Sequence, residues 1–318
     1  MGRYIYKRIL NIIPTIFVVA VIVFAVTRVI PGNPAATLLG PQAGAAEIAQ
    51  MEIQMGLDKS YPEQFLSFIA DLLRLDLGYS YAYQMDVNQL IMERFPNTII
   101  LTMAALFLSL LVGIPAGILS AYRRNTWTDY LITTTSLVGV SMPVFWLGVM
   151  LVLVFSVNLK WLPATGMGYI DQGIGLFFRH LTLPSITLAT IPTAYFARIT
   201  RSSMLDVLNE DYIRTARAKG LKENVVIWKH ALKNALNPIL SVLGMQVAGL
   251  LGGSVVTESI FSWPGMGNLI VDAINRRDFG VVQGVVIFIA FIYIVVNLII
   301  DILYKVINPK ISFDGGEN

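Results

Sequence analysis

Six long apolar segments constrain this chain more than any other feature of its sequence. A helix that crosses a bilayer needs about 20 predominantly apolar residues, because each residue adds about 1.5 Å and the hydrocarbon core is about 30 Å thick. The segments that approach or exceed this length are residues 9–29, 98–121, 131–157, 181–199, 236–257 and 281–307. The sequence therefore predicts an all-α integral membrane protein with six transmembrane helices.

Two of these segments depart from the simple pattern. The fourth is short and contains Pro184 and Pro192, so we expect a kinked helix there. The first follows Arg3, Lys7 and Arg8, as the apolar core of a signal peptide would. Its apolar run is longer than the roughly 7–15 residues of such a core, so we expect a retained span.

Basic residues mark one side of the membrane, because loops that stay in the cytoplasm are enriched in Lys and Arg. They occur at the amino terminus, in the short loop with Arg123 and Arg124, and throughout the loop of residues 200–235. The long loop of residues 31–97 is net acidic. Both termini and the basic loops are therefore predicted to face the cytoplasm, with the acidic loop outside.

The acidic loop is too long for a simple connection. Apolar residues at helical spacing around Phe65, Phe68 and Leu72 predict one or two short helices, packed as an extracytoplasmic cap. The whole chain then divides into an amino terminus with the first span, the cap, a core of five spans that includes the loop 200–235, and a cytoplasmic tail, at residues 1–30, 31–97, 98–307 and 308–318.

Composition excludes several classes of function. The chain is 55% hydrophobic and 14% charged, and its basic residues lie beside apolar spans, so no nucleic acid is expected as a partner. It has no cysteine and only two histidines, His180 and His230, which leaves almost no ligands for a metal. It also lacks a glycine-rich phosphate loop, so energy from ATP would have to come from another subunit.

Proton-coupled carriers usually place titratable side chains midway through their spans. Asp301 is the only clear acid in an apolar segment here, and Lys305 follows four residues later, at the spacing of an intrahelical ion pair. We interpret this pair as structural. A secondary transporter or channel that works alone is thereby disfavoured, and an intramembrane enzyme more so.

The polar stretch between the fourth and fifth segments is the most informative part of the sequence. Its predicted short helix has two adjacent stripes, Tyr212, Ala216 and Lys219, and Ile213, Arg217 and Gly220. Ala216 and Ala218 keep the helix slim, and Gly220 can adopt the positive φ that ends a helix. Spacing alone leaves two interpretations open: a helix that enters a groove on a partner protein, or an amphipathic helix attracted to anionic lipid.

This stretch closely resembles the cytoplasmic coupling loop of the dipeptide, oligopeptide and glutathione importer permeases of the ATP-binding-cassette (ABC) superfamily, in their B-type subunit. The resemblance extends over nearly the whole chain. It is carried by Arg8, Pro14, Ile30-Pro31-Gly32-Asn33-Pro34, Gly56-Leu57-Asp58, Asp76-Leu77-Gly78, Arg94-Phe95, Thr98, Gly113-Ile114-Pro115, Ser141-Met142-Pro143, the sequence ESIFSWPGMG at 258–267, Arg277-Asp278, Val282-Gln283 and Asn308-Pro309.

The resemblance implies an ABC importer permease fold and a set of partners. These are a second homologous permease subunit that forms a heterodimer with this chain, two cytoplasmic ATP-binding subunits, an extracytoplasmic substrate-binding protein and the bilayer of a bacterial inner membrane. The chain itself would catalyse nothing and hold no cofactor, since ATP and Mg would be bound by the partner subunits. The same type of permease also serves nickel and opine importers, so the cargo stays open.

Two groups of site residues follow from the resemblance. The contact with an ATP-binding subunit is expected at Asp211, Tyr212, Arg214, Thr215, Ala216, Arg217, Ala218, Lys219, Gly220 and Leu221. The superfamily signature begins with Glu-Ala-Ala, whereas Arg214, Thr215 and Ala216 stand here, so the role of that glutamate does not transfer. An outer gate or a contact with the binding protein is expected at Glu258, Phe261, Trp263, Pro264, Gly265 and Gly267.

The outer segment also has a simpler interpretation. Phe261 and Trp263 are aromatic residues of the kind that anchor a membrane protein at the lipid–water interface, while Pro264, Gly265 and Gly267 would impose turns. No metal site is expected in the chain.

Overall fold

The computed structural model describes the backbone of residues 2–29 and 32–307, and the side chains of residues 12–29, 32–247, 249–252, 254–300 and 302. Over this part of the chain the regular structure is helical apart from one β-hairpin, whose two strands have two residues each. The helices are α1 (Gly2–Val29), α2 (Pro34–Leu39), α3 (Ala45–Gln54), α4 (Tyr61–Leu73), α5 (Val87–Tyr122), α6 (Trp127–Ser141), α7 (Val144–Leu151), α8 (Ile174–Leu208), α9 (Asp211–Ala218), α10 (Glu223–Val225), α11 (Leu232–Ile260), α12 (Met266–Asn275) and α13 (Phe279–Ile307).

The prediction of an all-α membrane protein is confirmed. In the described residues, five helices are long and apolar enough to span a membrane, and the count becomes six if α6 and the helical stretch Val144–Asn158 form one broken span. The first, second, fifth and sixth predicted segments lie within α1, α5, α11 and α13. The predicted Asp301–Lys305 pair lies outside the described side chains.

The third predicted segment, residues 131–157, is broken and does not form one straight helix. The chain bends by 103° between Trp127–Ser141 and Val144–Asn158. The cause is Pro143, which forces the preceding residue out of the helical region, and Met142 accordingly has φ −76° and ψ 130°. Seven residues of π-helix, Val152–Asn158, then continue α7.

The fourth segment was predicted to be short, and it is instead the 35-residue helix α8, with Pro184 and Pro192 inside it. The hydroxyls of Thr187 and Thr193 donate to the carbonyls of Leu183 and Ala189, one turn earlier, at 2.9 and 2.7 Å. Fifteen of its residues are buried, so packing against neighbouring helices supplies stability that the prolines remove.

The chain forms two compact units. The first comprises Met1–Thr98 and Pro264–Val295. Its core joins Val87, Leu90 and Ile91 of α5 to side chains of α12 and α13. The second comprises Ile99–Trp263 and Val296–Asn318, and its main core lies among α5, α8 and α11.

The predicted cap contains more structure than the one or two helices expected. The loop forms α2, α3 and α4, followed by the antiparallel hairpin β1 (Tyr79–Ser80) and β2 (Met85–Asp86). Helix α4 packs on α1, where the ring of Phe24 lies 5.2 Å from that of Phe65 and 6.0 Å from that of Phe68. Aromatic burial of this kind anchors a short helix that would be unstable alone.

The carboxylate of Asp129 joins three helices of the second unit. The Arg201 guanidinium of α8 donates from Nε and Nη2 to the two carboxylate oxygens of Asp129 in α6, at 2.7 and 2.8 Å. The hydroxyl of Ser120 in α5 and the amide of Asn125 donate to the same carboxylate. Asp129 is 2% exposed, so these donors replace the water that its charge has lost.

We expect Asp129→Asn to destabilise the second unit, because it leaves Arg201 without its counter-charge. The loss should be about 1–3 kcal/mol, below the range for fully buried pairs because the Arg201 side chain is 29% exposed. The measurement is the thermal unfolding of the purified chain in detergent. Asp206→Asn, at an exposed acid of α8, is the matched control and should change stability by less than about 0.5 kcal/mol.

A double-mutant cycle with Arg201→Gln tests the pair itself. The double variant should be more stable than the sum of the two single changes indicates, because it removes both charges together. Strict additivity would show that the two side chains do not interact.

Candidate functional site

The predicted coupling helix is α9, Asp211–Ala218. It follows α8 directly, and Asp211 in its first turn suits the positive end of the helix dipole. The carbonyl of Glu210 accepts from the amides of Ile213 and Arg214, which starts the helical hydrogen bonds.

Gly220 ends the helix as the sequence predicted. Its φ is +75°, in the left-handed region that glycine enters without strain. The amide of Leu221 donates to the carbonyl of Ala216 at 3.4 Å, and that of Gly220 to Arg217 at 2.9 Å. This pair of bonds is the Schellman arrangement, which satisfies the last carbonyls of a helix.

The inner face of α9 packs on the chain itself. Ile213 is fully buried and Ala216 is nearly so. Both belong to one apolar cluster with Ile118 and Ala121 of α5, Met204 of α8, and Val226, Ile227, Ala231 and Ala235 from the helical stretch that runs from residue 226 into the start of α11. The helix is therefore attached to three other helical segments of its own unit.

The placement of Ala216 corrects the sequence interpretation. We expected Ala216 to share an outward stripe with Tyr212 and Lys219 and to fit a partner's groove. Tyr212 and Lys219 are exposed, but Ala216 points inward with Ile213, one turn before it. The apolar pair Ile213 and Ala216, at i and i+3, is the signal that identifies the buried face.

The outer face of α9 and its turn is exposed. It consists of Asp211, Tyr212, Arg214, Thr215, Arg217, Ala218, Lys219, Gly220 and Leu221. Two side-chain contacts fix it: Asn234 donates to the Tyr212 hydroxyl at 2.7 Å, and Arg217 binds both carboxylate oxygens of Glu223 at 2.7 and 3.2 Å. The hydrogen bond to Glu223 raises the pKa of Arg217.

Sequence reasoning missed an apolar component of this surface. Val225 and Trp228 are exposed, as is Leu221, which the sequence did predict, in a polar stretch where apolar side chains would normally be buried. An exposed apolar patch with a basic rim is typical of a surface that binds another protein.

The predicted outer site lies inside the protein. Glu258 and Trp263 have no exposed surface, and Phe261 has almost none. Trp263 packs in the main core of the second unit with Leu101 and Phe177. The interpretation as interface anchors is therefore wrong for both aromatic residues, whose burial also leaves them no surface for a binding protein.

Backbone contacts fix this segment within its unit. The amide of Gly166, in the loop before α8, donates to the carbonyl of Phe261 at 2.8 Å. A side chain at Gly148 would place its Cβ 3.4 Å from the Phe261 ring, so α7 packs closely there. The gate role of Glu258, Phe261 and Trp263 stays a prediction. Because all three are buried, they would take part in a gate through their packing inside the protein and not through an exposed surface.

The rest of the predicted outer site belongs to the first unit. Pro264 accepts a hydrogen bond from the Asn97 side chain at 2.8 Å, and Gly265 precedes the first residue of α12. Gly267 lies inside α12 and is buried, so the expected turn at this glycine is wrong. The helix begins earlier because the hydroxyl of Thr98 accepts from the Met266 amide at 2.8 Å.

Comparison with known families covers nearly all of the chain. The family described as binding-protein-dependent transport system inner membrane component matches residues 113–313. A second family, the N-terminal part of a binding-protein-dependent transport system membrane component, matches residues 1–102.

Curated relatives are similar over the same length. The dipeptide transport system permease protein DppB of Alkalihalophilus pseudofirmus is 44% identical, over 98% of this chain and 100% of its own length. The glutathione transport system permease protein GsiC of Escherichia coli K12 is 42% identical, with the same coverage of both chains.

Solved structures share the fold at low identity. The MetNI methionine ABC transporter in an inward-facing conformation gives a TM-score of 0.57 at 16% identity, over 69% of this chain and 97% of that one. An amino acid ABC transporter gives a TM-score of 0.50 at 19% identity, over 70% of this chain and 95% of that one. The fold is thus that of ABC importer permeases. The chain belongs to the family of inner membrane components of binding-protein-dependent transport systems.

Proposed function

We propose that this chain is a non-catalytic permease subunit that carries short peptides inward across the cytoplasmic membrane of a bacterium. The observation that carries the proposal is the full-length similarity to two permeases named for dipeptide and glutathione transport. Both cargoes are small peptides, which favours this cargo over nickel or opines.

The proposed assembly contains a second homologous permease, two ATP-binding subunits and an extracytoplasmic substrate-binding protein. The family description, which names dependence on a binding protein, supports the last of these. The sequence has no phosphate loop, so ATP and Mg would be held by the partner subunits.

The outer surface of α9 is the proposed contact with one ATP-binding subunit. Its exposed basic and apolar side chains face away from the chain, while Ile213 and Ala216 join the inner face to α5 and α8. A movement of α9 driven by nucleotide would therefore reach membrane-spanning helices through packed side chains rather than through a flexible linker. Nucleotide would bias two states of the spans by binding one arrangement of the ATPases more tightly.

We expect Ala218→Trp to uncouple the importer. Ala218 is exposed on α9, so an indole there should block a close protein contact while leaving the chain folded. The measurements are co-purification of the ATP-binding subunits and peptide uptake into proteoliposomes. Ala70→Trp, at an exposed alanine of α4, is the matched control and should preserve co-purification.

Ala216→Trp separates internal packing from partner contact. Ala216 is 8% exposed, so the larger side chain should overpack the cluster beneath α9 and lower the stability of the isolated chain by about 1–3 kcal/mol. Ala218→Trp should leave that stability unchanged. Normal co-purification and uptake by the Ala218→Trp complex would contradict the coupling assignment.

The proposed orientation places both termini and α9 in the cytoplasm and the cap outside. The native chain has no cysteine, so single cysteines can report it without background. Ser67 in α4 and Lys222 after α9 are both exposed. In intact cells an impermeant maleimide should label Ser67→Cys and spare Lys222→Cys, and the reverse pattern would overturn the orientation.

The purified chain alone should neither bind nor hydrolyse ATP. The physical reason is the lack of a glycine-rich loop whose amides could surround the phosphates. Equilibrium dialysis with labelled ATP measures binding, and a one-to-one complex would refute the non-catalytic assignment.

A further inference from the structure

A polar cavity in the first unit has no role in the proposed coupling. Its volume is about 270 Å³, and it is lined by the end of α1, by α4, by residues 55–57, 59, 76–79 and 81, and by the start of α13. Several lining positions, including Gly56-Leu57, Asp76-Leu77-Gly78, Asp278 and Gln283, belong to the segments that carry the family resemblance. Segments far apart in the sequence thus meet at this cavity, which we call the cap cavity.

Two residues that line the cap cavity each have a buried polar atom without a hydrogen-bond partner among the described residues. The atoms are Nε of Arg28, a donor, and Oε1 of Gln64, an acceptor. Gln64 is 8% exposed, and its Nε2 is held by the carbonyls of Lys59 and Leu57 at 2.8 and 3.4 Å. The side-chain amide is therefore fixed with its oxygen unused. Leaving such atoms unpaired is costly, so their presence on two residues that line one cavity favours a ligand there.

The guanidinium of Arg28 is held by aromatic rings rather than by an acid. Its Cζ lies 5.0 Å from the ring centre of Phe24 and 6.0 Å from that of Phe279. The face of an aromatic ring attracts a cation, but it does not accept strong hydrogen bonds from the N–H groups, which point outward in the plane of the guanidinium. The donor edge of Arg28 thus stays available for an anionic oxygen.

The cap cavity also contains carboxylates. Asp76 and Asp278 already accept hydrogen bonds from the chain, at Gly78 and at Ser80, respectively. The Asp71 carboxylate forms no hydrogen bond or ion pair within the described part of the chain. Asp71 and Oε1 of Gln64 together offer acceptors for a cationic donor, whereas Arg28 and Lys59 offer donors for an anion.

We propose that the cap cavity binds a small zwitterion that carries both an ammonium and a carboxylate group. Arg28 and Lys59 bind the carboxylate, and Asp71 and Gln64 bind the ammonium. Free amino acids and short peptides share this chemistry. The cavity is far larger than the roughly 10–15 Å³ that one water requires, and Lys59 and Tyr79 at its rim are exposed, which gives a ligand access. The inference does not depend on the direction or energy source of transport.

Calorimetric titration of the full-length chain tests the proposal. The chain is placed in nanodiscs of phosphatidylcholine and phosphatidylglycerol, so that no lipid with a primary ammonium competes. The probes are glycine, glycylglycine, N-acetylglycine and glycinamide. At least one of the two zwitterions should bind saturably, and N-acetylglycine and glycinamide, which each keep only one charge, should bind at least about tenfold more weakly. Tighter binding of glycine would identify a free amino acid as the ligand, and tighter binding of glycylglycine would identify a short peptide.

Titrations of variants test whether the zwitterion binds in the cap cavity. Arg28→Lys keeps the charge but removes Nε, and Asp71→Asn removes the free carboxylate; each should weaken binding of the better zwitterion at least about tenfold. The controls are Arg74→Lys and Asp58→Asn, the same changes at exposed cap residues that do not line the cavity, and they should not alter binding.

Two results would overturn the proposal. One is no saturable heat for either zwitterion, which would mean that the cavity holds water only. The other is equal weakening, or none, in the cavity variants and their controls. No nucleotide or ATP-binding subunit is present in this titration, so its failure would leave the coupling proposal intact, and failure of coupling would not affect the titration.

Discussion

Water is absent from the hydrocarbon core of a bilayer, so each backbone N–H and C=O there must find its partner inside the protein. The long helices of this chain meet that requirement within themselves. Where proline interrupts the pattern, the chain either bends, as at Pro143, or remains helical within a packed bundle, as α8 does at Pro184 and Pro192. Burial imposes the same requirement on side chains, and Arg201, Ser120 and a backbone amide surround the buried carboxylate of Asp129.

Helix α8 connects the polar and apolar parts of this arrangement. Arg201 binds Asp129 of α6, and Met204, one turn later, is buried in the cluster that holds the inner face of α9. A single rigid element therefore carries both attachments, and α9 follows it after two residues. This continuity supports the proposal that α9 transmits movement. A short helix that is packed on a long one and joined to it by two residues moves together with it.

The cap has a chemical character distinct from that of the spans. Its helices are short and depend on capping and on aromatic contacts with α1, and the cavity beside them collects both signs of charge together with unpaired polar atoms. Such a combination has a cost in a folded protein unless a ligand satisfies it. The segments that carry the family resemblance in this region thus have a physical role beyond returning the chain to the membrane.

The sequence by itself determined the class of fold, most of the helices, the glycine turn after α9 and the family, because apolar length, basic loops and ordered motifs are local properties of the chain. Only the tertiary structure decided which way side chains point. Ala216, Phe261 and Trp263 are buried, although the sequence had suggested contacts with a partner or with lipid for them. The tertiary structure also brings Arg28 and Gln64 to one cavity. Helical spacing defines faces but not which face finds a neighbour, since that choice depends on helices distant in sequence.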